Sequence, residues 1–178
     1  MNTIIGIGGP KGSGKSFAAD WLVANRGYTR IKFATALKNM LRVLGLTDEH
    51  IEGYLKEQPC DLLNGRTPRH AMQTLGYEWG RNLIDDALWV DTWRRRVLAT
   101  DGPVVVDDVR FDNEAAAVKS LGGIIVLISN SGVSGDEHAS ERFDYEPDYR
   151  VFNAKDETFL PHIDLLAAMM ATRNVTKP

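Results

Sequence analysis

The sequence contains few of the features that mark secreted, membrane or zinc-binding proteins. Cys60 is the only cysteine among 178 residues, so an internal disulfide is impossible and no Cys-x-x-Cys metal motif is present. The apolar stretch at residues 4–7 is interrupted by glycine and is far too short for a signal peptide or a membrane span. We therefore expect a soluble protein of the reducing cytoplasm that does not bind membranes.

An excess of positive charge is also missing. Lysine and arginine number 21 against 24 aspartates and glutamates, which gives a net charge of -3. This balance excludes a protein that wraps nucleic acid, whereas a small anionic substrate needs only a few well-placed cations. The hydrophobic content of 43% is ordinary for a globular chain, and 178 residues suffice for one domain with a real core.

Short apolar segments alternate with helical patterns along the chain. Strands are expected at residues 3–8, 28–33, 104–106, 124–129 and 149–153. Helices are expected at residues 15–25, 36–44, 48–56, 68–85, 88–99, 113–121 and 157–172. Continuous apolar strands alternating with helices predict an α/β fold, with a mostly parallel sheet covered on both faces. The mostly helical stretch at about 34–99 is expected to be an insertion at one edge of a single domain spanning residues 1–178.

The most informative motif is a glycine-rich loop between the first strand and the first helix. Residues 9–16 read Gly-Pro-Lys-Gly-Ser-Gly-Lys-Ser and match the P-loop pattern in its required strand–loop–helix context. Its glycines allow backbone N–H groups to surround phosphate, and the helix N-terminus attracts negative charge. We expect Lys15 to reach the β- and γ-phosphates and Ser16 to bind Mg²⁺. The alternative is a glycine-rich turn that happens to precede a helix.

A pair of acidic residues follows the apolar strand at residues 104–106. A carboxylate at this place, downstream of a P-loop, typically orients Mg²⁺ or its water ligands. Side chains of adjacent strand residues point to opposite faces, so only one of Asp107 and Asp108 is expected to face the metal. The residues alone leave that choice open, and a helix cap or turn is the alternative role.

Phosphoryl transfer also requires cations around the moving group. The candidates are Arg66, Arg69, Arg81, Arg110 and Arg142. Arg110 is the best placed, because α/β sheets bind ligands at the carboxyl ends of their strands. Arg142 lies in the polar segment at about 131–146, which is either a lid that excludes water or an ordinary connection.

Other candidate groups are weaker. Core packing is the default role of the tryptophans, although Tyr77 or Trp79 could stack on a nucleobase. His70 and His138 have no partners at metal-ligand spacing, so no zinc site is expected.

Four stretches of the sequence resemble the phage deoxynucleoside monophosphate kinases, within the nucleoside monophosphate kinase group. They are the P-loop, the segment Phe33-Ala34-Thr35-Ala36-Leu37-Lys38, residues 67–81 with 88–90, and residues 108–114 with 121–123 and 138–141. The resemblance implies a three-layer P-loop fold and transfer of the ATP γ-phosphate to a deoxynucleoside 5′-monophosphate. The helical insertion would then hold the monophosphate substrate, with ATP and Mg²⁺ as cofactors.

The resemblance also assigns roles to individual residues. The ATP-binding residues would be Gly9, Lys11, Gly12, Ser13, Gly14, Lys15, Ser16, Phe17 and Asn153. The substrate-binding residues would be Lys38, Arg69, Glu78, Trp79, Arg81 and Arg110. Catalysis would rest on Lys15, Asp108, Arg110 and Arg142, and the metal would be bound by Ser16 and Asp108, since Asp108 matches the family's Asp-x-Arg-Phe pattern.

The sequence departs from the family pattern at two positions. Tyr77 stands where a threonine is expected and Met72 where leucine is usual, which puts the base preference in doubt more than the reaction.

A dephospho-coenzyme A kinase or another small-molecule P-loop kinase is the nearest alternative function. A P-loop ATPase or switch that binds a protein partner is an alternative of a different class. The sequence leaves open whether the chain forms a homodimer.

Overall fold

The computed structural model describes residues 3–131 and 145–175, and these residues form an α/β structure. Five strands make one sheet: β1 (Ile4–Gly8), β2 (Thr29–Arg30), β3 (Val104–Val106), β4 (Ile124–Ser129) and β5 (Tyr149–Phe152). The α-helices are α1 (Lys15–Arg26), α2 (Thr35–Val43), α3 (Asp48–Ile51), α4 (Pro68–Gln73), α5 (Leu88–Leu98), α6 (Asp112–Ser120) and α7 (Phe159–Val175). Two 3-10 helices, Tyr54–Glu57 and Asp61–Leu63, and one π-helix, Thr74–Ile84, complete the regular structure.

All strand pairs of the sheet are parallel, in the order β2-β3-β1-β4-β5. Because strand side chains alternate, β1 has two apolar faces. Ile5 and Ile7 belong to the core cluster formed with α1 and α7. On the opposite face, a Cβ at Gly6 would lie 3.3 Å from Val118 of α6. The expected α/β fold, with a parallel sheet and helices on both faces, is confirmed.

The described chain divides into two compact units. One comprises Met1–Lys32 and Trp93–Pro178 and contains the whole sheet. The other, Phe33–Thr92, is helical and has its own core, in which Leu41 and Ile51 are buried together with Trp89. We call these the sheet unit and the helical unit. None of the described helices is both long and apolar enough to cross a membrane.

Three expected elements differ from the structure. The strand expected at 28–33 is reduced to the two residues Thr29–Arg30, and the helix expected at 48–56 is an α-helical turn followed by the 3-10 helix. The helix expected at 68–85 begins at Pro68 as predicted, but it continues from Thr74 as a π-helix. Apolar spacing over so short a segment does not distinguish the two helix types.

Candidate functional site: the P-loop and the carboxyl edge of the sheet

The P-loop connects the carboxyl end of β1, the central strand, to the first residue of α1. Gly9 and Gly14 have φ angles of +134° and +106°, which disfavour residues with a side chain. A Cβ would also lie 2.1 Å from the Ile128 carbonyl oxygen at Gly9 and 2.4 Å from Asn153 Nδ2 at Gly14. Both glycines are therefore required for the chain to fold back closely against its neighbours.

Lys15, the first residue of α1, extends across the loop that precedes it. Its ammonium group donates hydrogen bonds to the carbonyl oxygens of Gly9 and Pro10, both at 2.6 Å. These contacts hold a positive charge at the N-terminus of α1, where the aligned peptide dipoles already favour an anion. The site thus combines a cation, a helix terminus and a glycine-rich backbone, a combination that suits an anion such as phosphate.

Two asparagines from later strands support the loop from the sheet side. Asn153 follows β5 and donates from Nδ2 to the Ser13 carbonyl oxygen at 2.9 Å, while its own Oδ1 accepts from the Lys155 N–H. Asn130 follows β4 and donates to the Gly12 carbonyl oxygen at 2.9 Å. Asn153, expected to contact ATP, is thus buried against the P-loop backbone, and its contact with nucleotide stays a prediction.

A buried carboxylate at the end of β3 faces the start of α1. Ser16 Oγ donates to Asp107 Oδ2 at 3.1 Å, and only 3% of Asp107 is exposed. Arg30 binds the same carboxylate through two nitrogens, with Nε 2.9 Å from Oδ1 and Nη2 bonded to Oδ2. Lys32 Nζ lies 3.5 Å from Oδ2. Burial alone would raise the pKa of Asp107, but the Arg30 hydrogen bonds and the Lys32 charge outweigh it and the pKa is lowered.

Of the two adjacent aspartates, the structure therefore brings Asp107 to Ser16. Asp108 is half-buried one residue later, and its assignment to the metal stays a prediction from the family pattern. Arg110 follows on the surface, at the carboxyl edge of the sheet. Its position there agrees with a ligand-binding role, although its contact with phosphate is likewise a prediction.

The backbone that carries Arg110 is fixed by a buried acid in α6. Glu114 Oε2 accepts hydrogen bonds from the N–H groups of Arg110 at 2.8 Å and Phe111 at 3.2 Å. Nearby, the buried Tyr145 hydroxyl donates to the Val109 carbonyl oxygen at 3.2 Å, and burial raises the pKa of that tyrosine. The segment after β3 is therefore held at two points close to the expected catalytic residues.

The helical unit contains the residues expected to bind the acceptor. Each of three expected cations has a carboxylate partner: Lys38 Nζ lies 2.6 Å from Glu52 Oε1, Arg69 is paired with Glu57, and Arg81 Nη1 is 3.1 Å from Asp86 Oδ1. Arg81 is buried, whereas Glu52 and Glu57 are about half exposed. An anionic acceptor that used Lys38 or Arg69 would compete with these surface carboxylates.

The π-helix presents the remaining expected acceptor residues. Glu78 and Trp79 are exposed on it, and the Trp79 ring lies 6.3 Å from that of Trp89, measured between centroids. Trp89 donates from Nε1 to the Gly76 carbonyl oxygen at 2.7 Å, and its ring occupies the space that a Cβ at Gly80 would need. π-helices are rare and are frequent at functional sites. Arg142 and most of the expected lid lie outside the described residues.

Sequence reasoning missed the residues that surround Asp107. Arg30 and Lys32 stand at and just beyond the end of the short strand β2 and resemble ordinary surface cations in the sequence. The register between β2 and β3 is the signal that identifies Arg30. Arg30 pairs with Val105, and side chains two residues apart on a strand share a face. Arg30 therefore lies diagonally beside Asp107.

No family model matches the chain. A curated protein is nevertheless similar to it over most of its length. A protein of Acanthamoeba polyphaga mimivirus named "Putative deoxynucleotide monophosphate kinase" is 36% identical over 154 residues, which cover 78% of this chain and 80% of that protein.

Solved structures share the fold at low sequence identity. Shikimate kinase from Aquifex aeolicus matches with a TM-score of 0.52 at 13% identity, covering 96% of this chain and 98% of that one. A gluconokinase from Sinorhizobium meliloti matches with a TM-score of 0.50 at 16% identity, covering 98% and 95%. These structures place the sheet and its P-loop in a fold that kinases use. The sequence match to the viral protein shows that this chain belongs to the deoxynucleotide monophosphate kinase family.

Proposed function

We propose that this protein transfers the γ-phosphoryl group of ATP to a deoxynucleoside 5′-monophosphate, which yields ADP and the deoxynucleoside diphosphate. The observation that carries the proposal is the P-loop, with the Lys15 ammonium held at the N-terminus of α1 in a chain of this family. A charged loop of this form binds the phosphates of a nucleoside triphosphate. The viral relative's name supplies the acceptor class.

The reaction requires no covalent enzyme intermediate. An oxygen of the acceptor phosphate attacks the γ-phosphorus, the bond to the β,γ-bridging oxygen breaks, and ADP leaves with the electron pair. The acceptor oxygen is already anionic, so no strong general base is needed. The protein contributes positioning and positive charge, for which Lys15 and Arg110 are the proposed groups.

The residues at the start of α1 fit Mg²⁺. Ser16 is exposed and donates a hydrogen bond to Asp107, which leaves the lone pairs of its hydroxyl oxygen available to a hard cation. Asp108 is the further carboxylate proposed from the family pattern. Bound Mg²⁺ would supply neutralisation of the phosphate charge as the phosphoryl group moves.

We assign the acceptor to the helical unit, where Lys38, Arg69 and Arg81 supply positive charge. Trp79 offers an exposed aromatic face to the base, and Glu78 an exposed carboxylate. The Arg69 side chain is about 33% exposed and its partner Glu57 about 50%, so solvent screens their ion pair and makes it a weak competitor for a doubly charged phosphate. The Lys38 side chain is only 13% exposed, so its ion pair with Glu52 is screened less.

A substrate panel tests the proposal. ADP production from ATP is measured alone, with each deoxynucleoside and ribonucleoside monophosphate, and with dephospho-coenzyme A. We expect strong stimulation by at least one deoxynucleoside monophosphate. Stimulation by dephospho-coenzyme A alone would favour the alternative small-molecule kinase, and acceptor-independent turnover would favour an ATPase or switch that binds a protein partner.

A further inference from the structure

The buried carboxylate of Asp107 accepts three hydrogen bonds and faces one further cation. Arg30 binds both of its oxygens, and Ser16 and Lys32 approach Oδ2. A guanidinium that binds both oxygens of a carboxylate fixes its rotation as well as its charge. The orientation of Asp107 is therefore set by Arg30.

Arg30 is itself held from the other side. Its Nη1 donates to Asp20 Oδ1 of α1 at 2.5 Å, while Nε and Nη2 serve Asp107. Asp20 lies one turn after Ser16 on the same helix, so α1 and β3 both attach to one guanidinium. The chain of contacts thus runs from Asp20 through Arg30 and Asp107 to the Ser16 hydroxyl.

We propose that Arg30 is a positioning residue for the metal–nucleotide site, acting through Asp107 on the hydroxyl of Ser16. Asp107 accepts the hydrogen bond of the Ser16 hydroxyl, which directs the lone pairs of the hydroxyl oxygen away from Asp107. If Arg30 is lost, Asp107 can rotate and the hydroxyl proton can turn toward an incoming cation. The inference deepens the proposed function and depends on its assignment of Ser16 to Mg²⁺.

Charge balance supports a positioning role over direct binding of phosphate by Arg30. Two cations, Arg30 and Lys32, face two carboxylates, Asp20 and Asp107. Asp108 adds a further negative charge close to Arg30, so the cluster has no surplus positive charge for an anion. Burial alone would lower the pKa of Arg30, but its carboxylate neighbours Asp107, Asp20 and Asp108 raise it, so its charge is permanent.

The test compares ADP binding with and without metal by titration calorimetry. In EDTA, R30Q is expected to bind ADP as the wild type does, because Lys15 and the loop backbone are unchanged. In excess Mg²⁺, the gain in affinity shown by the wild type is expected to fall by about 10- to 100-fold, which is typical when a group that orients a metal ligand is lost. R30K should keep part of the gain, since it retains the charge without the two-pronged contact.

Two further variants make the result decisive. D20N leaves Arg30 and Asp107 in place, alters only an exposed partner, and should reduce the Mg²⁺-dependent gain less than R30Q does. R26Q removes an arginine of α1, the helix that contains Asp20. Arg26 pairs with Asp164, and R26Q should behave as the wild type. If R30Q does not fold, D20N and R30K carry the test.

Equal losses with and without Mg²⁺ in the Arg30 variants would overturn the inference, and so would an unchanged gain. A wild-type chain that binds ADP but gains nothing from Mg²⁺ would contradict the metal assignment. A wild type that binds no ADP at all would contradict the proposed function itself.

Discussion

Arg110 is the residue of the described site whose proposed role bears most directly on catalysis. It is exposed at the carboxyl edge of the sheet, and its backbone N–H is held by Glu114. We predict that R110A lowers kcat by about 10²- to 10³-fold, as expected for a group that stabilises charge mainly in the transition state. The KM for ATP should change much less, and steady-state kinetics separate the two constants.

Variants at Lys15 and Lys119 are the inactive reference and the unchanged control for that measurement. K15A should abolish transfer and leave the circular dichroism spectrum unchanged. K119A, on the exposed part of α6, should keep the wild-type kcat. A normal kcat in R110A would show that Arg110 does not lie between the two phosphates.

The ion pair between Arg69 and Glu57 leads to a second prediction at this scale. Both side chains are partly exposed, and exposed pairs contribute about 0–1 kcal/mol. If Arg69 binds the acceptor phosphate, E57Q should free it and lower the acceptor KM by up to about fivefold. D48N, which breaks the comparable pair with Arg42 in the same unit, should leave that KM unchanged. An unchanged KM in R69Q would show that Arg69 does not bind the acceptor.

At the scale of elements, the π-helix depends on the contact between Trp89 and Gly80. A Cβ at Gly80 would lie 2.5–2.6 Å from three atoms of the indole ring. G80A should therefore destabilise the protein by about 1–3 kcal/mol in urea unfolding, the usual cost of overpacking. G76A is the matched control in the same helix, since its Cβ would meet Leu37 at an ordinary 3.4 Å.

Trp89 provides the corresponding double-mutant cycle. Because W89F shortens the ring that blocks Gly80, the cost of G80A should be smaller in the W89F background than in the wild type. Additive costs would show that the ring does not set the packing at Gly80. Altered acceptor KM in G80A with an unaltered ATP KM would place the π-helix in acceptor binding.

The elements also show how far sequence reasoning extends. Continuous apolar runs predicted β1, β3 and β4, because strands buried on both faces need no alternation. The P-loop was predictable because its glycines and lysine lie at fixed spacing within one short segment, residues 9–16. The π-helix was not, since a tertiary contact from Trp89 to the Gly76 carbonyl supports it. Arg30 was not predictable either, since its role depends on the register between β2 and β3.

At the scale of the whole molecule, the two units should respond to different ligands. Hydrogen exchange with ADP and Mg²⁺ should protect amides of the P-loop in the sheet unit. A deoxynucleoside monophosphate alone should protect amides within Phe33–Thr92. In K15A the first effect should disappear and the second remain.

Protection by the monophosphate confined to the sheet unit would contradict the assignment of the acceptor to the helical unit. Protection of neither unit by any nucleotide would contradict the proposed function. Mass spectrometry of peptic peptides resolves the two units, because each contains long separate stretches of sequence.

The order of the strands has a consequence for the timing of folding. Strand β1 lies far in sequence from its partner strands, since Ile4 pairs with Val104 and Ile5 pairs with Ile124, separations of roughly a hundred residues or more. The residues that hold the P-loop, Ile128 and Asn153, are synthesised later still. The helical unit is contiguous and can fold first during synthesis. The P-loop, although it precedes the helical unit in the sequence, therefore gains its shape only after that unit and the strands that follow it have been made.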